Sequence, residues 1–420
     1  MDTLDRSLSA TVTAGSRPAA DREALLERYE SIFETVSPPF AFVDLEALEA
    51  NAAAMRARAA GVPIRVASKS IRSIPVLRRV LAIEGFRGVL AFTLPEALTL
   101  AERGFDDIVV AYPTVDRSAL GRLVALATKR PDAAPTLMFD AEAHLDMVEA
   151  TIGSGPAQVP VCLDVDAGLW LGRGRFARIG PKRSPVHFPA QARALAADAE
   201  GRPGTRLAGV MAYEGQIAGV GDRIPGRPLR SRVIRIVQRA SERELRRRLP
   251  AVISAVRQVA EPRFVNGGGT GSLARTAAAG LVTELSAGSG LYAPHLFDTY
   301  RSLDLTPAAF FVLPITRRPG PGVATALGGG YVASGPAGAD RLPQPYLPDG
   351  LRLDREEGAG EVQTPLVGTP TRTLRIGDRV YMRHAKAAEL CERFASLYLV
   401  AGDRIVDEVF TYRGEGLTFL

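Results

Sequence analysis

Residues 64–70, IRVASKS, decide the fold: a short β-branched apolar run ends in a lysine and gives way to a stretch of helix formers. The same rhythm surrounds it. FAFVDL (40–45) precedes it, and GVLAFTL (88–94), DIVVAYP (107–113), PTLMFD (135–140), VPVCLDVD (159–166), RLAGVMAYEG (206–215), FVNGGGT (264–270) and ELSAGSG (284–290) follow. Ala/Leu/Arg-rich helical stretches separate them, which is the βαβ pattern. A closed (β/α)8 TIM-type barrel takes eight strands. FAFVDL is the one set aside, because it directly follows the N-terminal segment and is free to join a second domain. Lys69 then ends barrel strand one, Gly267 to Gly271 follow strand seven, and Ser286 to Gly290 follow strand eight.

From about residue 300 the rhythm changes. AFFVLPITRR, VATALGGGYVAS, TRTLRIGDRVYMR and SLYLVAGDRIVDEVFTY read as strands with Gly-Asp turns, interrupted by a Gly/Pro-rich stretch between Gly335 and Gly360. This is a C-terminal mainly-β domain with long loops. The expected partition is an N-terminal extension at 1–37, a barrel at 38–298 and the β-domain at 299–420. Within the extension, 1–20 reads as flexible and 19–36 as a helix ended by Ser37-Pro38-Pro39.

The 420 residues are 46% hydrophobic and 23% charged, which allows a large core and argues against wholesale disorder. The net charge is +6, with 52 basic residues nearly balanced by 46 acidic ones. Arginines crowd between Arg230 and Arg248, but Glu242, Glu244 and apolar residues interrupt them and no aromatics alternate with them. That segment reads as the solvated face of a long helix, not a nucleic-acid stripe. No run of about 18 apolar residues spans a membrane, and the polar N-terminus lacks a secretion signal. The reading is cytoplasmic. Cys162 and Cys391 make no disulfide framework, and Cys162, in VPVCLDV, reads as core.

Arginine does nearly all the basic work, since the only lysines are Lys69, Lys129, Lys182 and Lys386. A lysine at an apolar strand end is either paired to a carboxylate on the rim or put to covalent use, because a buried ammonium is costly. With a depressed pKa it becomes a nucleophile toward carbonyl compounds. The two glycine loops favour the second reading. Glycines let backbone N–H groups approach a phosphate, and Thr270 and Ser289 add hydroxyl donors. An amine beside a phosphate site is what pyridoxal 5′-phosphate (PLP) requires.

Here a specific resemblance enters. RVASKSIRS (65–73) resembles the cofactor-lysine motif of the D-threonine aldolase and D-serine dehydratase family, within the alanine-racemase-like PLP fold. LDVDAGLWLGRGRFARIG (163–180), VMAYEGQ (210–216), VNGGGTG, TELSAGSGLYAPHLFD (283–298) and GDRVYMRHAK (377–386) are similar to successive segments of the same family, in register. The resemblance implies PLP bound by Lys69, Arg178 (at its phenolic oxygen), Tyr213 (beside its ring), Gly268, Gly269, Thr270, Ser286, Gly288, Ser289 and Tyr292. It also implies a homodimer in which each β-domain covers the other barrel's mouth.

Two departures matter. Family members usually follow the C-terminal His with Cys or Asp two positions on, and the pair binds a divalent metal. Here His384 is followed by Lys386, a protonated amine that cannot ligate a metal, and Cys391 stands seven positions on. A metal is therefore not assigned. In alanine racemase itself an Arg faces the pyridine nitrogen. By register that position is Ser286, and no second-base Tyr is recognisable, Tyr331 being a poor candidate. A neutral group there, or Glu284 nearby, lets the ring protonate and withdraw electrons more strongly, favouring elimination or retro-aldol cleavage over racemisation.

The expected function is a PLP-dependent lyase acting on a small β-hydroxy amino acid of D configuration. It gives glycine and an aldehyde, or water loss and deamination. Lys69 serves the α-proton and His384 the hydroxyl side. An amino-acid racemase is the alternative enzyme, and a non-catalytic PLP-binding protein the alternative of another class. The loop from Ser334 to Gly360 is placed against the pocket.

Overall fold

The computed structural model describes residues 19–172, 174 and 176–420, so the segment expected to be flexible, 1–20, falls almost wholly outside the described residues. The expected first helix runs Ala19–Ile32. It packs Leu25, Tyr29 and Phe33 against the aromatic face of the second sheet, where Phe40, Phe42, Phe310 and Tyr381 gather.

Strand β1 (Phe40–Asp44) lies outside the barrel. It pairs antiparallel with residues 309–312 and parallel with residues 398–400, in the β-domain. The barrel strands are β2 (Ile64–Ala67), β3 (Phe86–Ala91), β4 (Ile108–Val110), β5 (Leu137–Phe139), β6 (Val159–Asp164), β9 (Thr205–Ala212), β10 (Phe264–Gly267) and β11 (Glu284–Ala287), with a hairpin of β7 (Leu169–Leu171) and β8 (Ala177–Ile179) inserted after β6. The eight form one all-parallel sheet ordered β4-β3-β2-β11-β10-β9-β6-β5. A single parallel bridge, Val109 to Thr136, closes the ring. Helix starts are fixed locally: Asp44, Thr93 and Asp116 each accept a hydrogen bond from the backbone N–H three residues on.

The barrel interior holds Val109, Met138, Cys162, Met211 and Phe264, which makes Cys162 a core residue. It also holds an ion pair. Arg65 and Glu284, each 1% exposed at the side chain, meet with Nε–Oε1 at 2.7 Å.

The β-domain contains β12 (Ala309–Gly320), β13 (Val323–Leu327), β14 (Gln344–Leu347), β15 (Arg352–Leu353), β16 (Gln363–Val367), β17 (Arg379–Arg383), β18 (Ser396–Ala401) and β19 (Arg404–Phe410). Two short strands, β14 and β15, occupy the stretch read from sequence as loop. The arginine-rich segment is one helix, Pro228–Arg257. Its Arg246 and Arg248 pair with Glu242 and Glu244 one turn back. Arg248 is more than a solvated charge, because it also donates to the carbonyls of Asp166 and His187. Among the described residues, no helix is long and apolar enough to cross a membrane.

Candidate active site

Lys69 occupies a 3₁₀ turn, Ser68–Ser70, directly after β2. Its neighbours hold the turn. Ser68 Oγ donates to Leu90 O at 3.1 Å, and Ser70 Oγ lies 2.7 Å from Ser289 Oγ, across the gap to the strand-eight loop. Arg72, in the left-handed region at φ 50°, returns its Nε to the Lys69 carbonyl at 3.2 Å and pairs with Glu392 of the β-domain. The Lys69 side chain enters a cavity of about 400 Å³ at the barrel mouth, with Nζ 3.4 Å from the Tyr112 hydroxyl.

The same cavity is lined by Gly268, Gly269, Thr270, Ser286, Gly288 and Ser289, so the lysine and both glycine loops share one space. The close approach requires glycine. A Cβ at Gly288 would lie 2.7 Å from the Ala67 carbonyl and 2.9 Å from Ser70 Cβ, and one at Gly269 would lie 2.9 Å from Ala218 Cβ. Glu214 fixes the strand-seven loop from behind. Its carboxylate accepts from Gly268 N at 3.0 Å, from Ser272 Oγ at 2.8 Å and from Thr276 Oγ1. The Gly268 and Gly269 N–H groups are spent inside the loop, on Glu214 and Ser272 Oγ, so the cradle for a phosphate is the Thr270 and Ser289 hydroxyls with the Gly288 backbone, all lining the cavity. The cradle and amine together fit PLP.

A hydrogen-bond chain crosses the cavity floor. Glu284 takes Arg65 Nε and Nη2 at 2.7 and 2.8 Å and Asn266 Nδ2 at 2.7 Å. A carboxylate only accepts, so the Asn266 amide is fixed with Oδ1 toward Ser286, whose Oγ donates to it at 2.9 Å. The Ser286 oxygen therefore keeps its lone pairs for whatever occupies the cavity. Glu284 is buried below and acts only through this chain.

Two tyrosines and an arginine form the wall beside Lys69. Arg183 Cζ lies 5.2 Å from the Tyr112 ring centroid and 5.0 Å from that of Tyr213. Burial pushes the Tyr213 hydroxyl up to about 12. Burial also acts to raise the Tyr112 hydroxyl, but the Lys69 and Arg183 cations outweigh it and bring it below its ordinary value. Tyr112 ends strand three as Lys69 ends strand one, and that position at the C-terminal end of a barrel strand was its available signal. Asn266, in β10, had the same signal. Arg183 follows the inserted hairpin and had none.

Three expected site residues lie elsewhere. Arg178 does not line the Lys69 cavity; it stands on β8, its guanidinium 3.9 Å from the Trp170 ring centroid. Trp170 in turn stacks on His187, and Asp166 accepts from its indole at 2.6 Å. The hairpin thus carries Arg178 away and the chain returns with Arg183. Tyr292 is fully buried beneath the strand-eight loop and donates to Ile71 O at 3.1 Å. His384 is also buried outside the cavity. Its Nε2 donates to Ala387 O at 2.6 Å, and burial pushes its pKa down to about 3. It stays neutral and does not line the cavity.

The residues present do not fit a divalent cation. His384 spends Nε2 on a carbonyl, its unpartnered Nδ1 is a single nitrogen away from the cavity, and Cys391 is buried with Sγ 3.5 Å from Ile71 O. Among the described residues no three His, Cys, Asp or Glu side chains gather to hold a metal. From this segment Lys386, Ala387 and Glu389 line the cavity, and Lys386 brings the amine. Of the 334–360 loop, only Ser334 lines it.

A barrel with a lysine-and-glycine-loop mouth, capped by a β-domain, is the alanine-racemase-like architecture. Residues 43–295 match the family described as alanine racemase, N-terminal domain, and the chain belongs to it. Among curated proteins it is 31% identical over 258 residues to a D-threonine aldolase of Arthrobacter sp.. It is 25% identical over 264 residues to a 3-hydroxy-D-aspartate aldolase of Paracoccus denitrificans (strain Pd 1222). Each match spans about 60% of both chains. The fold is similar to that of D-threonine aldolase from Filomicrobium marinum (TM-score 0.75, 21% identity, 91% of this chain and 96% of that one). It is also similar to that of D-threo-3-hydroxyaspartate dehydratase from Delftia sp. HT23 (TM-score 0.69, 19% identity, 90% and 98%).

Proposed function

We propose that this chain is a PLP-dependent lyase acting on a β-hydroxy amino acid of D configuration. The observation that carries the reading is the convergence of the Lys69 amine and the two glycine loops on one cavity. Lys69 would hold the cofactor covalently. Thr270, Gly288 and Ser289 would hold its phosphate, with Gly268 and Gly269 giving the room for its approach, and Tyr112, Tyr213 and Arg183 would flank it. When bound, PLP withdraws electrons from the substrate α-carbon.

The floor of the cavity tunes that withdrawal. Ser286 is neutral, and its hydroxyl hydrogen is committed to Asn266. The resemblance assigns this position to the ring nitrogen, where an accepting oxygen favours the protonated, more electron-poor ring. That supports bond cleavage at the α-carbon over simple epimerisation. The 31% identity to a D-threonine aldolase supports the substrate class and configuration. Lys69 would also be the residue to hold or move a proton at the substrate α-carbon. Assembly as a homodimer and a cytoplasmic location are carried over with the reading, and light scattering of the purified chain reads the first.

The test is product analysis with purified, PLP-loaded protein and both enantiomers of threonine, serine and alanine. Glycine and acetaldehyde from D-threonine, or oxo-acid and ammonia from either D-hydroxy amino acid, support the reading. Conversion of one enantiomer into the other without cleavage identifies a racemase. Absence of turnover with PLP bound leaves a binding protein.

A further inference from the structure

Lys386 enters the same cavity as Lys69, from the β-domain side, together with Ser334 and Glu389. Its surroundings leave it unspent. The Nζ reaches only Ser334, at 3.3 Å to the carbonyl and 3.4 Å to the hydroxyl, and no carboxylate lies within ion-pair distance among the described residues. Glu389 turns Oε1 to the Ser334 backbone N–H instead, at 3.0 Å. An ammonium has three donors, and two long contacts to one serine leave capacity for a ligand. Half-burial, with the Arg341 and Lys69 charges nearby, lowers the Lys386 pKa, against the opposing pull of Glu389. In a protein that uses arginine almost everywhere else, a lysine at this mouth is a compact donor on a flexible stem.

We propose that Lys386 Nζ donates a hydrogen bond to the side-chain hydroxyl of the substrate, doing without a metal what a divalent cation would do at that oxygen. The proposal rests on the lyase reading above. The phosphate cradle is built from barrel loops and Lys386 comes from the β-domain, which leaves the substrate's side chain to the wall that Lys386 supplies. The residues of the 384–391 segment that could have ligated a metal are turned into the core, as described for His384 and Cys391. Lys386 therefore recognises the β-oxygen directly. It discriminates hydroxy amino acids from their deoxy analogues, because the analogue leaves this donor without its partner.

The experiment compares D-threonine with D-2-aminobutyrate, which lacks only the hydroxyl. Binding is followed by the absorbance change of the lysine-bound cofactor in the holoenzyme and in Lys386→Met. A hydrogen bond from a charged donor is worth about 1.5–3 kcal/mol. The variant should therefore bind D-threonine roughly 10- to 150-fold more weakly, while D-2-aminobutyrate changes less than threefold. Turnover of D-threonine by the wild type should be the same with EDTA and with added Mn²⁺. Equal weakening for both ligands overturns the proposal, as does loss of turnover in EDTA with restoration by Mn²⁺. If the cofactor absorbance responds to no hydroxy amino acid of either configuration, the lyase reading itself fails, and that outcome is distinct from the other two.

Discussion

Replacing Gly288 by alanine presses on the contact between the phosphate loop and the root of the cofactor lysine. The new Cβ would lie 2.7 Å from the Ala67 carbonyl oxygen, 2.9 Å from Ser70 Cβ and 3.2 Å from Ala67 Cβ. All three are backbone or Cβ atoms of residues flanking Lys69, so no flexible side chain can swing away. The Ala67 carbonyl must retreat by roughly 0.7 Å to reach ordinary van der Waals separation. That spreads the cradle from the turn bearing the amine. Overpacking of this kind costs about 1–3 kcal/mol. If it is expressed in the geometry that PLP bridges, affinity for PLP falls about 5- to 150-fold. The assay is titration of apo-protein with PLP, read at the absorbance of the lysine-bound form, with far-UV circular dichroism to confirm folding. Gly121→Ala is the control. It sits in the helix Arg117–Lys129, where an added Cβ meets nothing within 4 Å, so PLP affinity should not change. A folded Gly288→Ala protein with unchanged PLP affinity would refute the idea that the strand-eight loop and Lys69 bind one ligand.

Arg183→Ala should weaken PLP binding or shift the cofactor absorbance, whereas Arg178→Ala should leave PLP affinity within twofold, because its guanidinium rests on Trp170. Glu284→Gln leaves Arg65 buried with one neutral and one half-exposed partner. Breaking a buried pair in this way costs about 3–5 kcal/mol, measurable as a lower urea midpoint. Acid sensitivity should fall in His384→Gln. Burial lowers the folded-state His384 pKa to about 3, below the roughly 6.5 of an unfolded histidine. The unfolded chain therefore binds more protons between those values. The stability contribution is fully present above about pH 6.5 and declines as pH falls toward 3, by about 1.4 kcal/mol per pH unit. Urea unfolding at pH 7 and pH 5 should show a smaller drop in the variant than in the wild type.

The barrel was legible because each strand is a short apolar, β-branched run bounded by turn residues, and counting them placed Lys69 and both glycine loops on one face. The strand set aside, β1, pairs in the second sheet, as its position directly after the N-terminal segment suggested. The short strands β14 and β15 were hidden by the prolines and glycines around them, since edge strands of two to four residues carry little pattern. The two places where the cavity holds a neighbour of the expected residue share one physical origin. Arg178 and Arg183 are five residues apart, and His384 and Lys386 two. Which member of each pair faces the cavity depends on how the chain leaves a hairpin or a strand, and composition does not encode that. The Arg65–Glu284–Asn266–Ser286 chain links residues more than 200 positions apart in sequence, and only tertiary structure brings them together.

Borohydride reduction shows whether the Lys69 amine carries the cofactor. Purified protein loaded with PLP is reduced, digested and mapped by mass spectrometry for the pyridoxyl adduct. With only four lysines in the chain the result is unambiguous. One adduct is expected, at Lys69, and it should disappear in Lys69→Ala. An adduct on Lys386, the other lysine lining the cavity, or no adduct at all, would contradict it.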